Sequence, residues 1–310
     1  MTYDIIILGA GPAGLTAAIY AGRAKMKTLV ISKQTPGGQV LQTERIDNYP
    51  GYPKSVAGID LLNNMHEQTK SLGIEYKNAE ALSLEKKGGK FAIKCKNSEF
   101  ESLGAIIATG AEYKHLDVKG EKEFTGRGVS YCAVCDAPMF RNKKVAIIGG
   151  GDVALYEAAH LLKYCSKLYL VHRRDRLRAT KIMQNIVLEN NKTQAVWNAV
   201  PEEIFGDKLV KGLKIKDVKT NEIKDLECDG VFIFVGIKPA SEMVKNILKT
   251  DKAGYVISDE NLKTSLDGVY VCGDVRKKML RQISTAVGDG ASAAFACQKY
   301  VEELKGIAYK

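Results

Sequence analysis

Two cysteines stand three positions apart, Cys132 and Cys135, with an acid, Asp136, directly behind them. Such a pair can cycle between dithiol and disulfide, and a neighbouring carboxyl can carry the proton that thiol–disulfide exchange moves. The pair lies between two glycine-rich turns, Gly9-Ala-Gly-Pro-Ala-Gly14 and Gly149-Gly-Gly-Asp-Val-Ala154. Each turn follows a run that reads as a buried strand and opens a stretch that reads as a helix. That is the context in which such turns hold a dinucleotide pyrophosphate on free backbone N–H groups. A dithiol between two dinucleotide sites describes an electron relay that ends on a disulfide outside the chain.

The two turns predict different ligands. In the first, Gly9, Gly11 and Gly14 allow a tight turn and close backbone approach, with Pro12 and Ala13 opening the helix. The acid that usually takes the ribose of NAD at the end of the second strand is missing, because Ile31 and Ser32 stand there. FAD, whose pocket can use other groups, remains open. The second turn has Gly149 and Gly151, then Asp152, Val153 and Ala154, and alanine in the third place still permits close helix–strand packing. At the end of its second strand come His172, Arg173 and Arg174, with Arg178 beyond. Guanidinium groups there suit a 2′-phosphate and hence NADP. The alternative for this run is a solvated basic turn.

The cysteine pair also admits more than one reading. Zinc needs four ligands, and no second Cys or His pair is spaced to complete a site; the four histidines stand at 66, 115, 160 and 172. No metal is therefore expected. A purely structural thiol pair is the other alternative. Asp136 can serve as proton carrier or as a helix N-cap, and the two roles can coexist.

The elements that must position these residues fall into two similar sets. A strand at 4–8, a helix at 14–24, a strand at 28–31 and a closing strand at 105–110 form the first. A strand at 144–148, a helix at 153–164, a strand at 168–171 and a closing strand at 231–235 form the second. The remainder, a strand ending in Gly273-Asp274 and an alanine-rich helix at 284–304, is too small to fold alone and completes the first set. The expected architecture is α/β, with two doubly wound, Rossmann-like dinucleotide-binding domains and the second inserted into the first. Residues 1–112 and 244–310 would form one domain and 113–243 the other, joined by crossing strands near 113 and 243 that suit a hinge.

Bulk properties exclude several classes. The chain has 310 residues, and no stretch approaches the roughly 18–20 continuous apolar residues of a membrane span. Its N-terminus reads as a first strand and not as a signal peptide. Seven cysteines, an odd and mostly scattered set, do not form a secreted disulfide framework, so a cytoplasmic location is expected and the other five read as buried small apolar residues. The formal charge of +10 favours anionic ligands and acidic partner proteins, but the lysines are spread along the chain, which argues against nucleic-acid binding.

Together these residues resemble the low-molecular-weight, bacterial-type thioredoxin reductases, FAD-dependent pyridine nucleotide-disulfide oxidoreductases, over essentially the whole chain. Residues 9–14 are similar to that family's FAD loop, and Pro36-Gly-Gly38-Gln39 and Asp47-Asn48-Tyr-Pro-Gly51 to its next flavin-contacting segments. Ala108-Thr109-Gly110 looks like the domain junction, and Gly273-Asp274 with Arg281, Gln282 and Ile283 like the C-terminal FAD segment. Cys132 to Asp136 is similar to the redox motif. Residues 149–154 with Glu157, and His172, Arg173 and Arg174 with Arg178, resemble the NADPH site.

The resemblance implies a homodimeric thioredoxin-disulfide reductase that passes electrons from NADPH through FAD and the Cys132–Cys135 pair to oxidised thioredoxin. It implies that Cys132 attacks the partner, Cys135 faces the flavin and Asp136 is the acid–base. Asp274 would bind the ribityl or phosphate part of FAD, and Arg281 and Gln282 would lie along the isoalloxazine. It also implies a large rotation of the inserted domain. Two departures stand out. Ala137 replaces the family's usual glycine, and Ser32-Lys33 replaces the acid that often begins the loop before Pro36. The rivals are a reductase of another dithiol partner (glutaredoxin-like or a peroxidase module), one fed by ferredoxin, a ferredoxin–NADP reductase or NADPH oxidase of this fold, and a flavin-bearing sensor without turnover.

Overall fold

The computed structural model of the chain describes residues 2–33, 35–43, 46 and 48–308. Strand β1 (Thr2–Leu8) buries Ile5, Ile6 and Ile7 completely, as a parallel strand covered on both faces must. It passes through Gly9 into helix α1 (Pro12–Arg23), where Pro12 sits in the first turn and costs no hydrogen bond. Then come β2 (Thr28–Ser32), α2 (Gly58–Ser71), β3 (Glu75–Asn78), β4 (Ala81–Lys87), β5 (Lys90–Cys95), β6 (Ser98–Ile107) and β7 (Ala111–Tyr113). Next are β8 (Val129–Ser130), α3 (Ala133–Asp136), β9 (Lys144–Ile148), α4 (Asp152–Leu161), β10 (Lys167–Val171), α5 (Lys181–Leu188) and β11 (Thr193–Val196). They are followed by β12 (Ala199–Gly206), β13 (Val210–Asp217), β14 (Ile223–Glu227), β15 (Gly230–Ile233) and β16 (Ile237–Pro239). Strand β17 (Val269–Val271) and helix α6 (Ile283–Leu304) close the chain.

The chain divides into two compact units. One comprises the residues up to Glu112 and those from Lys238 onward, the other Tyr113–Ile237. In the first unit the sheet order is β3-β2-β1-β6-β5-β4, with β17 beside β6. The strands β3, β2, β1, β6 and β17 run parallel, whereas β4, β5 and β6 form an antiparallel meander. One face is covered by α1 and α6, whose contact is made by small residues, Ala17, Ala18, Ala293 and Ala294. Gly290 shows how close the helices come: a Cβ there would lie 2.2 Å from the Ala13 carbonyl oxygen.

The second unit repeats the plan with a parallel sheet in the order β11-β10-β9-β15-β8 and adds an antiparallel sheet of β12, β13 and β14. Helices α4 and α5 bury Leu155, Ala158, Leu161, Met183 and Val187 against β9, β10 and β15. Among the described residues no helix is long and apolar enough to cross a membrane.

The chain passes back from the second compact unit to the first between Ile237 and Lys238. The cause is non-local pairing. Strands β7 and β16 form a two-stranded ribbon, the Ala240 N–H donates to the Gly110 carbonyl, and the Thr109 hydroxyl donates to the Ala240 carbonyl at 2.6 Å. Met243 and Val244 then pack into the core formed by β1, β5 and β6. Residues 238–243 therefore belong to the first unit.

Candidate active site

In the first unit, segments far apart in sequence gather around the turn after β1. Gly9 and Gly14 are required by the chain itself: a Cβ on Gly14 would lie 1.9 Å from the Gly9 carbonyl oxygen. Gly11 is different. Its φ is −76° and a Cβ would meet nothing within 4 Å, so neither backbone conformation nor internal packing calls for glycine there. Open space at the middle glycine is what close approach of a pyrophosphate needs.

Gly38 approaches Gly11, Gln39 donates to the Ala111 carbonyl, and Gly273 packs on Ala13. Asn48 donates to the Gln282 side chain at 2.9 Å, and Gln282 caps α6 through a reciprocal pair of bonds with Thr285, just before Ile283. Asp47, expected in the same segment, lies outside the described residues. The Ala108–Thr109 backbone lies against Gly9, and Ala240 is held by the Thr109 hydroxyl and the Gly110 carbonyl.

Asp274 offers an acceptor. Burial pushes its pKa up, only partly opposed by Lys278 and Arg281. Lys278 Nζ lies 3.4 Å from Oδ1 without hydrogen-bonding alignment, so that buried oxygen keeps an unmet acceptor. Arg281 lies over the Tyr255 ring, 4.0 Å from its centroid, and reaches the Asp274 carbonyl.

The support behind Asp274 was not apparent from sequence. Asp289 accepts from the Gly273 N–H, from Arg276 and from Lys278, all at 3.1–3.3 Å. The available signal was a lone acid within the alanine- and glycine-rich run of α6.

In the second unit, Gly149 and Gly150 are locked by Ala154, Phe234 and the His172 ring, whereas a Cβ on Gly151 would meet only the Arg178 guanidinium, at 4.0 Å. The middle glycine is again the open one. Asp152 opens α4 and accepts from the Thr180 N–H at 2.7 Å, while the Arg178 N–H donates to the Gly150 carbonyl. These bonds fix the segment carrying Arg178 over the turn. Val153 is exposed on the first turn of α4. His172 is buried with an unmet Nε2, and burial, then Arg173, pull its pKa below the usual value, which keeps the ring neutral near pH 7. Arg173, Arg174 and Arg178 are exposed, and among the described residues none has an ion-pair partner.

Cys132 and Cys135 form a disulfide with a Cα–Cα distance of 5.3 Å. Cys132 is the N-cap of α3, and its sulfur accepts from the Cys135 N–H at 3.2 Å. Asp136 therefore ends this helix instead of capping it, and its carboxylate makes no cap bond to the turn that follows. It is held instead by Ser130, whose hydroxyl donates to it at 2.6 Å and whose oxygen accepts from the Cys132 N–H at 3.1 Å. Ser130 thus ties the acid to the first cysteine.

The departure at Ala137 leaves the turn intact, since its φ of −52° is ordinary for any residue and its methyl is fully buried. Glu157, grouped by resemblance with the NADPH residues, engages α3: its carboxylate accepts from the Ala133 and Val134 N–H groups. The other five cysteines are buried, and burial raises each thiol pKa, for Cys228 to about 12, which disfavours the nucleophilic thiolate.

Two open glycine turns and a disulfide on one chain match a known pattern. The pyridine nucleotide-disulphide oxidoreductase family profile matches residues 3–290. The chain belongs to the pyridine nucleotide-disulphide oxidoreductase family. Within it, the chain is 43% identical to the thioredoxin reductase of Bacillus subtilis over 98% of this chain and 96% of that one. It is 42% identical to the thioredoxin reductase of Treponema pallidum, covering 98% of each. The crystal structure of thioredoxin reductase from Streptococcus pyogenes aligns with a TM-score of 0.92 at 42% identity, covering 97% of this chain and 99% of the other. The two doubly wound units are thus the family's fold, and the chain is an oxidoreductase.

Proposed function

We propose that this chain is an NADPH-dependent flavoprotein that reduces the disulfide of oxidised thioredoxin through Cys132 and Cys135. The observation that carries this reading is the disulfide at the start of α3, with Asp136 tied to Cys132 by Ser130. We assign the first unit to FAD and the second to NADPH. The open Gly11 and the unmet acceptor of Asp274 support FAD in the first; an acceptor-only carboxylate suits a ribityl hydroxyl better than a phosphate. The open Gly151 and Arg173, Arg174 and Arg178, which have no ion-pair partner among the described residues, support NADPH in the second.

FAD, when bound, supplies a two-electron carrier between the nicotinamide and the disulfide. The chain's own residues account for the exchange. The Cys132 thiolate, favoured by the Cys135 N–H, attacks one sulfur of the partner disulfide, breaking that bond and forming a mixed disulfide. Cys135 then attacks the Cys132 sulfur, which restores the 132–135 bond and releases the partner's dithiol. Asp136 takes the proton of the attacking thiol and returns one to the leaving thiolate.

Tyr20, Ile59 and Phe295, exposed on α1, α2 and α6, support a homodimer built on the first unit. The buried free thiols favour a reducing, cytoplasmic location. Cys132→Ser tests the reading. The variant should keep NADPH-dependent bleaching of the flavin and lose thioredoxin reduction to background; full thioredoxin turnover in the variant would refute the assignment.

A further inference from the structure

We infer that Glu157 is a positioning residue that holds the redox helix and keeps the Cys132–Cys135 pair strongly reducing. The inference rests on the redox reading of that pair. Helix α3 has four residues, so the donors of its first turn decide what charge it stabilises. One donor, the Cys135 N–H, goes to the Cys132 sulfur. The other two, from Ala133 and Val134, converge on one oxygen of Glu157 at 2.7 and 3.2 Å.

At the start of a helix, free N–H groups stabilise a cysteine thiolate, and a more stable thiolate makes the pair more oxidising. Here a carboxylate has taken two of the donors and brings a negative charge of its own. Both effects disfavour the thiolate, and hence the dithiol relative to the disulfide, which is the direction a protein that exports electrons requires.

The charge, and not only the bonding, is what needs explanation. Glu157 is half-buried, and among the described residues it has no cationic partner. Burial raises its pKa against the opposing effect of the two N–H bonds, so the ionised form is held at a cost. A glutamine would accept the same bonds without that cost. The residue also lies on α4, three positions after Ala154, so the helix that opens at the second glycine turn anchors the redox turn.

The test is a redox titration of the flavin-loaded protein in glutathione buffers at about pH 8.5, where a free thiol is half ionised, with thiols trapped and counted. Glu157→Gln keeps both acceptor bonds and removes the charge. Its equilibrium constant for forming the dithiol should rise about tenfold, equivalent to about 30 mV for a two-electron couple. Glu157→Ala also frees both donors and should shift further. If Glu157→Ala fails to retain flavin, Glu157→Gln decides. A shift below about twofold in Glu157→Gln, with the wild type titrating normally, overturns the inference. A wild-type pair that does not titrate at all sinks the redox reading itself, whatever the variants do.

Discussion

The two glycine turns are built alike up to the end of the following strand and diverge there. In both, the first glycine is locked by the chain and the middle one faces open space. After β2, the basic residue Lys33 lies within 4 Å of two acids, Glu80 and Glu112. After β10, Arg173, Arg174 and Arg178 stand without a carboxylate partner among the described residues. The shared part fits what all dinucleotides share, the pyrophosphate; the divergent part fits what distinguishes them. One unit neutralises its cation, and the other keeps its cations available for a phosphate.

This comparison can be broken most severely at the locked glycines. Gly14→Ala places a methyl 1.9 Å from a carbonyl oxygen that cannot move without opening the turn, and should cost about 3 kcal/mol or more. Loss of bound flavin and a lower melting temperature are expected. Gly11→Ala should fold with wild-type stability and lose only flavin affinity, read as flavin retained on dilution. Equal behaviour of the two variants would remove the distinction between packing glycine and ligand glycine.

The next largest effect concerns the strand ends. Arg173→Ala with Arg174→Ala should lower kcat/KM for NADPH about 100-fold, as expected for the loss of charge-assisted bonds of about 1.5–3 kcal/mol, and leave NADH within about threefold. An equal loss for both nucleotides would mean that the arginines merely hold the turn.

The smallest effect separates the units by pH. In the second unit Glu121 is buried. Burial alone would raise its pKa, but bonds from the Leu116 N–H, the Tyr131 hydroxyl and the Asp117 N–H bring it below the usual carboxylate value. Its contribution is therefore present above the ordinary carboxylate range and is lost as pH falls through the depressed folded value. Glu121→Gln should cost about 1–2 kcal/mol near pH 7 and less in acid. Asp274 in the first unit has the opposite sign. Its raised pKa means that the folded protein binds the proton more tightly, so the flavin-free form loses stability as pH rises from the ordinary value to the raised one. Asp274→Asn should flatten that slope, which melting curves of the flavin-free protein across pH would reveal.

What was legible in the sequence was local. Each strand–turn–helix unit announces itself through glycine spacing and an apolar run, and the parallel sheets follow from two such units. The cysteine pair and the arginines after β10 were legible for the same reason. Contacts between distant segments were not. The second crossing at 237/238 depends on β16 pairing with β7, and no residue between 237 and 243 signals this by itself. Asp289 supports Gly273 from sixteen residues away. Ser130 could pass for an ordinary strand residue until its bonds to Asp136 and Cys132 were in view. The meander β4–β6 and the sheet β12–β14 carry no chemical motif that marks them.

The most direct test of the account is an anaerobic titration of the purified flavoprotein with NADPH, and separately with NADH, followed by flavin absorbance. The account predicts bleaching that consumes about two hydride equivalents, one for the flavin and one for the Cys132–Cys135 disulfide, with a strong preference for NADPH. If neither nucleotide bleaches the flavin, the second glycine turn is not a working nucleotide site. The electrons would then have to come from another protein, ferredoxin first among the candidates.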